Sequence, residues 1–115
     1  MKKIILILLF VCSLAMAEDK PFLITITKDN CNWCDMMKQN VILKSDVKAL
    51  LETKFVVKII NRNNPELIPK VIKNTRFFPT TYIVSSDKKK LLDELPGFMS
   101  AYNLLDYFDL VESKE

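Results

Sequence analysis

The chain of 115 residues contains no histidine, and only one glycine, Gly97, and one tryptophan, Trp33. Without histidine, imidazole acid–base chemistry and the commonest zinc ligand are both excluded. A single glycine implies that the turn it occupies needs its backbone freedom. Charge of one sign is lacking as well. The 17 basic and 14 acidic residues leave a net charge of +3. The only basic run, Lys88-Lys89-Lys90, follows Asp87 and reads as a solvated turn. A nucleic-acid partner, which requires a concentrated basic face, is therefore not expected. No internal repeat, low-complexity tract or flexible linker follows Glu18.

The one long apolar run lies at the start. Met1-Lys2-Lys3 is a short positive region, residues 4–17 are uncharged and mostly apolar, and Ala15-Met16-Ala17 ends on small residues. Fourteen helical residues span about 21 Å, short of the roughly 30 Å hydrocarbon core. Residues 1–17 are thus expected to be a cleaved secretory signal, with an uncleaved membrane anchor as the alternative. A lipoprotein anchor at Cys12 is disfavoured by Val11 before it. Removing residues 1–17 takes away two of the basic residues and none of the acidic ones. What remains is a 98-residue domain, 18–115, with net charge +1. Cys12 leaves with the signal, so Cys31 and Cys34 are the whole thiol inventory in an oxidising, periplasmic setting.

Hydrophobic periodicity gives the element order. FLITIT, residues 22–27, alternates as a strand; Asp29 and Asn30 offer capping side chains ahead of a helix over 32–40. Ser45 or Asp46 precedes a second helix over 47–53. FVVKII, residues 55–60, is nearly all apolar and predicts a central strand buried on both faces. Asn64-Pro65 opens a third helix carrying Leu67, Ile68, Val71 and Ile72, with Pro69 tolerable only in its first turn. Residues 80–84 and 91–95 form a hairpin, and Ser100 caps a last helix reaching Val111. Strands separated by helices pair in parallel, and the short turn makes the last pair antiparallel. The expected fold class is α/β, a mixed sheet of about four strands flanked by helices on both faces.

Three readings of Cys31-Asn32-Trp33-Cys34 compete. A disulfide across so small a loop constrains the unfolded chain little, so a structural staple is poorly placed here. A Cu(I) site needs soft ligands, which Met36 and Met37 could add, although methionines more often fill cores. A redox couple fits best. Unpaired amides at a helix start favour a thiolate at Cys31, and Cys34 lies one turn on, within reach of a mixed disulfide there.

Three stretches together are similar to the thioredoxin superfamily: the strand leading into the CxxC helix; Asn64-Pro65 to Val71, resembling the family's next helix, then Phe77-Phe78-Pro79-Thr80 entering strand TYIV; and Leu95-Pro96-Gly97-Phe98 before the last helix. The resemblance implies a thiol–disulfide oxidoreductase without a bound cofactor or metal. Cys31 is then the attacking and Cys34 the resolving member of a redox disulfide. It implies a cis-proline at Pro79 lying across the thiols, with Phe78 presenting its backbone to an extended substrate. Trp33 adds an apolar contact; Phe78 could equally pack into the core. Implied partners are client proteins with cysteines or disulfides and a membrane electron carrier or oxidase, the protein itself being a monomer. A reductant is the expected direction. The second function carried forward is a module that binds Cu(I) or apo-cytochrome thiols without turnover. Departures from the family pattern are Thr25 where a buried acid is common, Asn30 where a tryptophan is common, and Asn-Trp between the cysteines. Lys58 stands where a lysine often accompanies that acid, or else it is an edge residue.

Overall fold

The computed structural model describes residues 19–110; the expected signal segment and Val111 lie outside them. Strand β1 (Phe22–Thr27) is followed by helix α1 (Asn32–Met37), which continues as a π-helical turn over Lys38–Ile42. Helix α2 (Ser45–Glu52) and strand β2 (Val56–Asn61) come next. A 3-10 turn (Pro65–Leu67) precedes the hairpin of β3 (Thr80–Val84) and β4 (Leu91–Pro96), and α3 (Ala101–Tyr107) closes the described chain. The sheet order is β2-β1-β3-β4. β1 and β2 are parallel, while β3 runs antiparallel to both β1 and β4. The expected four-stranded mixed sheet is therefore present.

Alternation along β1 divides the core in two. Leu23 joins Met37, Val41, Ile42, Leu51, Ile83 and Leu104 on the face that carries all three α-helices. Ile24 and Ile26 point the other way, joining Ile60, Ile72, Tyr82 and Val84. That second face is covered by the largely irregular segment 65–78, through Ile68, Val71, Ile72 and Phe78, and not by an α-helix. The expected helix after Asn64 fails at Pro69, whose missing N–H stops the turn that Pro65 begins. Ile68, Val71 and Ile72 still pack against the sheet, because burial needs only contact with it, whereas Leu67 is left exposed.

FVVKII is an edge strand, contrary to the central position its composition predicts. Its outer side has no neighbouring strand among the described residues, and Val56 and Lys58 are exposed. Val57 and Ile59 pack beneath the helices while Ile60 faces the other core, so apolar residues serve both faces of an edge. Lys58 supplies the charge that keeps an open edge from pairing further. It neighbours Ile24, and the residue in register with Thr25 is Ile59. Lys58 thus sits on the opposite face from Thr25, as an edge residue.

Helix ends differ from expectation in instructive ways. Asp29 and Asn30 do not cap α1; Cys31 occupies the cap position itself. Lys44 caps α2 with no side-chain bond, and the Asp46 carboxylate accepts from the Val47 amide inside the helix. Ser100 does cap α3, accepting from the Asn103 amide at 3.2 Å. α3 ends early at Tyr107, where Asp109 turns the chain with φ 62°.

Candidate active site

The site forms where β1 ends. Asn30 takes a left-handed conformation, φ 55°, which asparagine tolerates better than most residues. That reversal sets Cys31 at the head of α1, and Cys34 follows one turn inside it. The two are joined as a disulfide with Cα atoms 5.2 Å apart. The Cys34 amide also donates to the Cys31 sulfur at 3.1 Å, a bond that favours negative charge on that atom. Cys31 keeps 8% of its surface exposed and Cys34 only 2%, so an approaching chain meets Cys31 first.

The loop before β3 closes the site from the other side. Phe78–Pro79 is a cis peptide bond. The Phe78 carbonyl oxygen lies 3.8 Å from the Cys31 sulfur, placing the two sequence-distant motifs against each other. Gly97 donates its N–H to the Pro79 carbonyl at 2.8 Å and holds φ at +85°. An added Cβ there would meet nothing within 4 Å, so the backbone angle, and not space, asks for glycine.

Trp33, 57% exposed, leans on Phe98 with ring centroids 5.3 Å apart. Together with Phe77, Phe78 and Gly97 these residues line a shallow, largely apolar depression of about 390 Å³. Phe77 is 63% exposed, so a large apolar ring faces solvent beside the thiols. Sequence reasoning singles out Trp33 and Phe78 but not Phe77 or Phe98. The available signal is Phe-Phe-Pro just before β3 and Gly-Phe just after β4, which the hairpin brings to one end. Phe78 is half-buried, with the Lys28 ammonium 5.6 Å and the Arg62 guanidinium 5.4 Å from its ring centre. It serves both the core and the site.

A polar recess of about 450 Å³ opens beside Cys34, with Thr27, Asp29, Asp35 and Lys38 on its walls. Asp29 is held there by the side-chain amides of Asn61, at 3.0 Å, and Asn63, at 2.9 Å. Of the two methionines considered as soft metal ligands, Met36 is exposed and Met37 is fully buried. Met37 accepts the Met99 amide on its sulfur at 3.4 Å and is committed to the core.

Thr25 pairs with Thr81 across the sheet, hydroxyl to hydroxyl at 2.9 Å, and both are buried. No acid is needed to satisfy either group. Thr25→Val should therefore strand the Thr81 hydroxyl and lower stability by about 1–3 kcal/mol, whereas the double Thr25→Val/Thr81→Val variant should come back toward wild type. Urea unfolding of the three variants reads this directly; equal losses for single and double variants would show that the pair is not a unit.

The chain matches the family model described as "Thioredoxin-like domain" over residues 12–112. Among curated proteins no sequence matches. Solved structures with this fold include the reduced C-terminal domain of DsbD from Neisseria meningitidis, 21% identical, covering 85% of this chain and 86% of that one at TM-score 0.60. A thioredoxin from Thermus thermophilus is also 21% identical, covering 78% and 72% at TM-score 0.58. A disulphide isomerase from Xylella fastidiosa is 21% identical, covering 78% and 76% at TM-score 0.56. At these identities the likeness speaks for the fold. With the family model spanning most of its length and the CxxC helix set against the Pro79 loop, the chain belongs to the thioredoxin-like domain family.

Proposed function

We propose that the protein is an exported thiol–disulfide oxidoreductase that reduces disulfides in client proteins. In the reduced state the Cys31 thiolate attacks one sulfur of a client disulfide. A Cys31–client bond forms, and the client's other sulfur leaves as a thiolate. Cys34 then loses its proton, for which the recess holding Asp29 and Asp35 is the nearest polar outlet. Its thiolate attacks the Cys31 sulfur, the second client thiolate leaves, and the Cys31–Cys34 disulfide returns. The client gains two electrons, and its two thiolates are protonated by the proton that Cys34 releases and by one from water; an electron carrier in the membrane must restore both electrons to the protein. Cys31, Cys34 and Pro79 carry the site, while Trp33 and Phe78 contact the client.

The observation that carries this reading is the asymmetry of the pair. Cys31 is the more accessible sulfur and lies against the Phe78 carbonyl, while Cys34 is sealed behind it. That order of access suits attack by Cys31 and resolution by Cys34. The exposed Trp33–Phe77–Phe98 depression offers unfolded or extended clients an apolar landing next to the sulfur. Reduced protein should precipitate insulin by cleaving its interchain disulfides, and Cys31→Ser should abolish that activity. Precipitation that survives in the variant would remove Cys31 from the mechanism.

Export rests on the charge and hydropathy pattern of residues 1–17, with a mature domain of 18–115. Mass spectrometry of the protein from its native host should give a chain beginning at Glu18; an intact Met1 on a membrane-bound protein would support the anchored alternative. Copper delivery, the second function, draws less support, since burial of Met37 removes one of the two methionines that could have assisted the thiolate pair.

A further inference from the structure

On the face of the sheet away from the helices, a cavity of about 460 Å³ lies between β1 and the segment that covers it. It exists because Pro69 prevents a helix there, and the irregular chain leaves room beside Ile26 and Ile72. Its floor is apolar, formed by those isoleucines and the Phe78 ring, and its rim carries Arg62, Lys70 and Lys73. None of the described residues that line it is acidic. Glu66, on the neighbouring 3-10 turn, does not line it, and the carboxylate of Asp29 is occupied by Asn61 and Asn63. Three cations around an apolar floor, with Lys28 adding a fourth over the Phe78 ring, favour a carboxylate attached to an apolar body.

Phe78 connects this cavity to the thiol site. It lines both the cavity and the depression beside Trp33, and its carbonyl faces the Cys31 sulfur. A polypeptide bound at Cys31 and running past Phe78 would pass from one to the other. We propose that the cavity is a second client subsite. It accepts a client segment in which an acidic residue adjoins an apolar one, within a few residues of the cysteine that bonds to Cys31. The proposal rests on the thiol–disulfide reading above and adds the class of client. Clients would be selected by sequence near their cysteines, through Lys70 and Lys73, rather than by exposed disulfides alone.

Two synthetic peptides test it, each closed by one intrachain disulfide. One carries Glu-Leu pairs three to six residues to either side of its cysteines; in the other each Glu is replaced by Gln. With the native protein at low ionic strength, the Glu peptide should be reduced with a kcat/KM about five- to tenfold higher, the difference lying in KM. The preference should fall to within about twofold in a Lys70→Gln/Lys73→Gln variant, and likewise in 0.5 M salt, where the screening length is only a few ångströms. Equal rates on the two peptides with the native protein would overturn the subsite, as would a preference that survives the double substitution. If the native protein reduces neither peptide, the oxidoreductase reading itself fails and the subsite goes with it.

Discussion

Cys34→Ser protein, reduced and mixed with oxidised client proteins, should accumulate covalent adducts that a reducing agent releases. The variant keeps Cys31 at the head of α1, and the backbone amide at position 34, which donates to the Cys31 sulfur at 3.1 Å, is untouched by the change of side chain. Attack on a client disulfide is therefore preserved. A serine hydroxyl is a far weaker nucleophile than a thiolate toward sulfur, so the mixed disulfide persists until an external thiol arrives. Multiple-turnover reduction should fall on the order of a thousandfold or more, as expected when a residue acting as part of a unit is removed. Cys31→Ser should form no adducts at all, because Cys34 has almost no exposed surface. Non-reducing gels with mass spectrometry of the trapped peptide decide the matter. Adducts carried by residue 34 in the Cys31→Ser variant would reverse the assigned roles.

Met37→Ala should be the most destabilising change near the site that touches no cysteine. Met37 is fully buried among Leu23, Val41, Leu51, Ile83 and Leu104, the core that joins all three helices to the sheet. Its sulfur also accepts the Met99 amide, tying the CxxC helix to the turn after Gly97. Truncation leaves a cavity and one unpaired amide, a loss of about 2–5 kcal/mol. That is a large share of the roughly 5–15 kcal/mol that holds a domain of this kind together. Met36→Ala, one residue away on the exposed side of the helix, should cost within about 0.5 kcal/mol. Urea denaturation of the two variants measures the difference. Equal losses would mean that α1 does not pack as described.

What can be read from the sequence follows from how local each feature is. The CxxC pair, its position after FLITIT and the hairpin of β3 and β4 depend on short stretches, and all three are legible. The place of FVVKII in the sheet depends on which strand pairs with which, a non-local fact. An apolar run packs equally well at an edge when helices cover one face and a loop the other, as Val57, Ile59 and Ile60 do. Pro69 is a visible risk, yet the apolar spacing around it outweighs the missing N–H in a sequence reading, and a helix is expected where only a turn forms. The positions of Asp29 and Asn30 suggest caps, but Asn61 and Asn63, more than thirty residues on, claim the Asp29 carboxylate. The Phe77–Phe98 contribution to the site becomes legible only once the β3–β4 hairpin is in place, for the same reason. Two loops distant in sequence must first be brought beside Trp33 before their rings form one surface.

Charge at the second subsite illustrates how a fold departure becomes a functional feature. A regular helix over 64–72 would lay Ile68 and Ile72 along one face and close the space beneath it. The broken segment keeps Ile72 buried yet leaves a cavity whose rim holds Lys70 and Lys73. Those lysines are then available to a client and not merely to solvent.

The proposed function depends on Cys31 and Cys34 being a reversible two-electron couple poised for reduction of clients. An equilibrium titration against dithiothreitol or glutathione buffers, followed by the fluorescence of Trp33 between the two cysteines, measures this directly. One reversible transition is expected, with a two-electron slope and a potential near about −270 mV, the range of reducing thioredoxins. A potential near about −120 mV would contradict the reductive direction, and a disulfide that does not exchange with either buffer would contradict the function itself.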